Sequence, residues 1–171
     1  NFVVANGTVN VDGAYAASAT TVSNGTLAFG ASATITALGA VTVSGGTLNL
    51  STGDPQTLSS LSLSAGSLGG SDTLTVSGTT TWSGGFMSGG GTTQASGGLS
   101  LTGAGVRDLN SRTLRTPLGA TWSGTGQVRL GTGSVIDNAG LWDVQGDLTI
   151  GTLTGGGTFS NANAGTLRKS A

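Results

Sequence analysis

Few residues in this chain could do chemistry. In 171 residues there are six Lys and Arg, seven acidic residues, no His and no Cys. Every acidic residue is Asp. Without His there is no imidazole base for a hydrolytic triad, and without His and Cys the usual zinc ligands are missing. No Gly-Lys-Ser or Gly-Lys-Thr occurs, so a phosphate loop is excluded. Calcium takes roughly six to eight oxygens, usually several of them from carboxylates. The seven Asp are scattered rather than clustered. An eliminative lyase with an Arg base and carboxylate-bound calcium would therefore lack its metal site. The expectation is a protein that is not an enzyme, with no catalytic residue, no cofactor and no metal.

Surface chemistry is what remains. Arg107 follows Val106 and Arg129 follows Val128, which places the two Arg one above the other if the chain coils at that spacing. Stacked like charges are mildly unfavourable and would invite an anionic partner such as an acidic glycan. Arg112 and Arg115 are near in sequence, and Asp108 and Asp147 could equally neutralise the cations. The more regular feature is a ladder of hydroxyls: Thr21 and Ser23, Thr42 and Ser44, Ser62 and Ser64, Thr81 and Ser83, Ser100 and Thr102, Thr121 and Ser123. On one flat face these would form two columns, able to match the lattice of ice or of a crystalline polysaccharide. Stacked Thr and Ser are also at home on strands with no ligand at all. The ladder resembles the Thr-x-Thr face of β-helical antifreeze proteins, with Ser replacing Thr at most second positions.

Gly69-Gly70-Ser71-Asp72-Thr73-Leu74 resembles half of a Gly- and Asp-rich calcium nonapeptide. That motif works stacked in series and occurs here once, so it reads as a turn. Asn6-Gly7-Thr8 and Asn24-Gly25-Thr26 match a glycosylation acceptor pattern, which the repeat itself explains.

The elements that must carry these residues are repeats. Thr81-Trp82-Ser83-Gly84 returns as Thr121-Trp122-Ser123-Gly124, and in aliphatic form as Thr42-Val43-Ser44-Gly45 and Ser62-Leu63-Ser64-Ala65. The central residues Val22, Val43, Leu63, Trp82, Leu101 and Trp122 are 21, 20, 19, 19 and 21 residues apart. A period near twenty marks a solenoid. A second motif, a small residue, a polar one and an apolar one, follows each copy. Its apolar anchors are Val9, Leu27, Leu48, Leu68, Met87, Val106, Val128, Leu148 and Leu167, which implies about eight turns. Runs such as Leu61-Ser62-Leu63-Ser64 alternate apolar and hydroxyl residues, the period of a half-buried strand. Gly-rich breaks supply the corners. One turn cannot bury its own apolar face, but a stack of parallel strands makes a continuous core. At about 4.8 Å per layer, eight turns span on the order of 40 Å. Parallel crossovers are right-handed in about 98% of cases, so the expected fold is all-β, a right-handed parallel β-helix. Truncating Trp82 or Trp122 should then open its core.

Four departures from the pattern are expected. Ser51 to Gln56, with Asp54-Pro55, should bulge out as a corner. Arg107 to Leu118 should be a second irregular corner. Gly84 to Ser96 is poorly patterned, with Gly89 to Gly91 as a soft spot. From Leu141 the alternation should change phase, with Trp142 and Val144 sharing a face.

Composition agrees with this architecture. With 33 Gly, no Glu and one Lys, the chain is poor in helix formers. A disordered linker would not need Val, Leu, Ile and Trp at a fixed period. The net charge of −1 exerts no broad pull on nucleic acid or an anionic membrane. No apolar run approaches the roughly 20 residues of a membrane span, so the chain should not be membrane-embedded. The absence of Cys fits export without disulfides. The chain opens inside a repeat, without an initiator Met, and is expected to be one solenoid segment, 1–171, of something longer. Open sheet edges at its ends should favour end-to-end association into fibres.

Gly25-Thr26-Leu27-Ala28-Phe29 and Gly46-Thr47-Leu48-Asn49-Leu50, in repeats of 19 to 21 residues, resemble those of filamentous-hemagglutinin-like exoproteins and autotransporter passenger domains. The similarity runs from Asn6 to Leu167. The resemblance implies a three-sided β-helix forming the shaft of a bacterial secreted or cell-surface protein. Its partners would be copies of itself or host and surface glycans or proteins. It transfers no site residues.

Overall fold

The structure, a computed structural model, describes residues 1–161 and 164–171. Among them there is no helix; there are 25 short strands, all paired in parallel. Three strands make one turn, as in Ala19–Val22, Thr26–Phe29 and Thr34–Ala37. Eight such turns stack into a three-sided β-solenoid, and Thr166–Lys169 adds a ninth strand to the first face. The first face is a nine-stranded sheet beginning at Phe2–Val4, and the second is an eight-stranded sheet beginning at Thr8–Val11. The third face is split. Ala14–Ala16 pairs with Thr34–Ala37, and a separate six-stranded sheet starts at Gln56–Leu58. Pro55 precedes that break and has no N–H to offer a ladder.

The apolar column of the first face is the one the period describes. Val22, Val43, Leu63, Trp82, Leu101 and Trp122 pair in register, and all are buried. Alternating large and small residues let adjacent layers interdigitate. On the second face, Val9, Leu27, Leu48, Leu68 and Met87 follow the expected anchors. The next anchor does not. Val106 is 43% exposed, and Leu109 stacks on Met87 instead. The corner Gly103 to Val106 is longer than its predecessors, so the chain enters the second face only at Arg107. Leu130, not Val128, then stacks on Leu109, although Val128 is also buried. Leu148 lies ahead of the strand Ile150–Thr152, whose Thr152 pairs with Leu130. Leu167 sits on the first face opposite Trp142 and is half exposed.

Other expectations also change. Arg107 to Leu118 is not an irregular corner but two strands, Arg107–Asn110 and Thr113–Thr116, ending in the exposed Leu118. Leu141–Val144 keeps phase: Val144 pairs with Trp122 and Trp142 with Ala120. Gly84 to Ser96 holds two strands, and Gly91 N–H donates to Gly70 O at 3.3 Å, so the Gly triplet continues the stack. At the Ser51 to Gln56 corner only Gly53, Asp54 and Pro55 stand out in solvent. Thr52 and Gln56 are buried.

Candidate functional site

The first column of the hydroxyl ladder is real. Thr21, Thr42, Ser62, Thr81, Ser100 and Thr121 are consecutive register partners on the outside of the first face. Ser23, Ser44, Ser64, Ser83, Thr102 and Ser123 lie just past the strand ends. Each still donates its backbone N–H to the turn before, as Ser44 does to Val22 O at 3.0 Å. The first column does not run the whole length. It starts from Val3 and closes on Asp143 and Arg168.

The other faces carry hydroxyl columns too. Thr8, Thr26, Thr47 and Ser67 stack on the second face, and Thr73, Thr92 and Thr113 on the third. Strand preference for Thr accounts for all three. The signal was present in the repeated Gly-Thr-Leu motif, whose Thr alternates outward from the buried Leu.

The two Arg are not a stacked pair. Arg107 registers with Gly85 and Val128, and Arg129 registers with Asp108. Arg107 is fully buried. Its guanidinium donates to Trp82 O at 2.6 Å, to Gly126 O at 2.7 Å and to the carbonyls of Thr102 and Gly103. The approach to the long corner before it supplies the Thr102 and Gly103 carbonyls, the neighbouring turns supply those of Trp82 and Gly126, and burial pushes the Arg107 pKa down. Arg129 donates to both oxygens of Asp108, at 2.6 and 2.7 Å, a bidentate pair that holds its pKa up. An acidic glycan finds no free cation at this place.

The remaining cations are also engaged. Arg115 pairs with Asp137 at 3.0 Å, Arg168 with Asp143 at 2.9 Å, and Lys169 with Asp147 at 3.2 Å. The hydrogen bond from Arg168 holds the Asp143 carboxyl well below the usual carboxylate range. Arg112, which sequence alone leaves on the surface, is 1% exposed. It donates to Thr93 Oγ1 at 2.8 Å and to Gly70 O and Ser88 O, each at 3.0 Å. Burial pulls its pKa down to about 10, with Asp72 opposing. Asp72 in turn accepts from Thr52 N–H at 2.9 Å, Thr52 Oγ1 at 2.8 Å and Gly53 N–H at 2.9 Å. Asn138, also buried, accepts from Thr116 Oγ1 at 3.0 Å and donates to Gly140 O at 2.9 Å. These polar groups fasten one turn to the next.

Among the described residues no group of three or more metal-ligating side chains occurs, and no helix is long and apolar enough to cross a membrane. Compared with family models, with curated proteins and with solved structures, the chain matches none.

Proposed function

We propose that this chain is a length of shaft from a bacterial secreted or cell-surface exoprotein, of the kind its repeats resemble. Its role is to extend and present, adhering through its faces. The observation that carries the reading is where the strongly interacting polar groups lie. Arg107, Arg112, Asp72 and Asn138 are spent on holding successive turns together rather than on a cleft. A stack fastened along its axis suits a mechanical element. End-to-end association belongs to the same reading. In the 171-residue chain taken by itself, Phe2–Val4 and Thr166–Lys169 are each paired on one side only, and unprotected edges recruit further strands, so this chain in isolation should associate end to end.

Antibody raised against the chain should label intact source cells or their medium. Labelling confined to the cytosol overturns the shaft. Sedimentation showing only monomer at every concentration removes the fibre component.

The register of the first hydroxyl column favours one rival, an ice-binding face. Hydroxyl columns on all three faces weigh against it, because a lattice binder needs only one. Faceted ice crystals with a freezing gap, lost in Thr81→Tyr, would establish the rival.

A further inference from the structure

The second face carries an open trough across three turns, of about 460 Å³. Asn10 and Asp12 form one wall, Asn49 and Ser51 the other, and Ala28 and Gly30 the floor. The trough exists because Asn10, Ala28 and Asn49 are consecutive register partners. A small residue between two amides leaves a slot, with walls two layers, or about 10 Å, apart.

The side chains that line the slot differ from the buried and paired polar groups of this protein. Asn138, Asp72 and the five Arg are engaged internally. Among the described residues, the Asn10 amide and the Asp12 carboxylate have no side-chain hydrogen-bond partner, and both are exposed. Asn49 only accepts from Ser51 Oγ, at 2.8 Å, and keeps its amide donors free. The slot therefore offers amide donors, amide and carboxylate acceptors, and a nearly flat floor made of one methyl and one glycine backbone.

That combination recognises a sugar. We propose that the trough binds an uncharged pyranose residue of a polysaccharide, with its C–H face on Ala28 and Gly30 and its hydroxyls on Asn10, Asp12 and Asn49. An ionised carboxylate such as Asp12 accepts hydroxyl protons but repels sugar acids, and no free cation lies among the lining residues. A peptide has less to hold here. The floor strand Thr26–Phe29 is paired on both sides, so the floor itself offers no backbone edge for strand addition; the open edge of Thr8–Val11 lies on the far side of the Asn10 wall. This inference rests on the adhesive reading and names where, and to what, the shaft would adhere.

One sugar ring in an open slot binds weakly, so the test uses polymers, where many units engage many molecules. The 171-residue chain is passed over immobilised uncharged polysaccharides, namely a glucan, a mannan and a galactan, and over polygalacturonate. Retention on at least one uncharged polymer is expected, and none on polygalacturonate. Asp12→Ala and Asn10→Ala should weaken retention about tenfold or more, consistent with hydrogen bonds to a polar ligand. Ala28→Phe should fill the slot and abolish it. Thr57→Phe, an aromatic added at an exposed position of the third face, should leave retention unchanged. Melting curves show whether each variant folds. If Ala28→Phe does not fold, the two wall variants decide, since both alter exposed side chains. No retention on any uncharged polymer, equal retention by all variants, or equal retention on polygalacturonate overturns the site. The two readings fail separately. Surface labelling without sugar retention sinks the trough alone, and sugar retention by a chain confined to the cytosol sinks the shaft alone.

Discussion

The guanidinium of Arg112 reaches back two turns along the solenoid to the carbonyl oxygen of Gly70, at 3.0 Å. Gly91 makes this possible. It occupies the same corner one turn earlier, and a Cβ there would overlap the Asp72 carbonyl and stand 3.0 Å from Arg112 Nη1. A buried cation with carbonyl and hydroxyl acceptors on successive turns ties layers that backbone ladders alone join pairwise. Arg112→Met should leave those acceptors unpaired and cost several kcal/mol, on the order of 3. Arg112→Lys should not rescue it, because one ammonium cannot reproduce the planar fork. Thermal melting of the two variants checks this; wild-type stability in Arg112→Lys would show that charge alone matters.

Gly91→Ala should also destabilise, for a different reason. Its clash is partly with the Asp72 backbone, so removing the Arg112 side chain should not relieve it. The double variant should be no more stable than either single one.

Register on the second face makes two neighbouring apolar residues unequal. Leu109 is fully buried and stacks on Met87, while Val106 is exposed. Leu109→Ala should cost about 2–5 kcal/mol, and Val106→Ala less than about 0.5. Urea unfolding of both variants reads the difference, and equal losses would mean the register is wrong.

The central column should be the most sensitive part of the molecule. Trp82 is 0% exposed, between Leu63 and Leu101. Trp82→Ala should cost about 3–5 kcal/mol. The indole Nε1 of Trp82 is buried with no hydrogen-bond partner. Trp82→Phe should therefore cost less than the lost volume alone suggests, since it also removes an unpaired donor.

Stability should fall in acid through Asp143. Arg168 holds this carboxyl below its ordinary pKa. A carboxylate depressed in the folded state stabilises fully above its unfolded pKa, about 3.9, and loses that contribution as pH drops towards the folded value. The melting temperature of wild type should exceed that of Asp143→Asn at pH 7, and the gap should close below about pH 4. A constant gap from pH 7 to pH 2 would contradict the ion pair.

The first face was legible because two periods agree there. Alternation within each strand chooses the inward residue, and a nearly constant repeat stacks Val22 through Trp122. The second face loses this agreement at Gly103 to Val106, where a longer corner shifts the anchor to Leu109. Counting from Val106 then carries the error to Leu148 and Leu167. The slot on the second face follows from the same alternation, since Asn10, Ala28 and Asn49 each come one residue after an inward anchor, Val9, Leu27 and Leu48. It becomes visible only when the variable position of the Gly-Thr-Leu-x-Leu repeat is compared down the stack.

The amino-acid sequence by itself determined the class of fold. Hydrophobic residues at period two, repeated every twenty or so and punctuated by Gly, bury their surface only by stacking. The tertiary structure decided the fate of the charges. Arg107 and Arg112 read as surface residues, because a guanidinium is almost never fully buried unless paired. What buries them is a convergence of carbonyl oxygens from residues up to 42 positions away. Linear spacing does not encode that convergence, because the length of each corner sets which carbonyls meet.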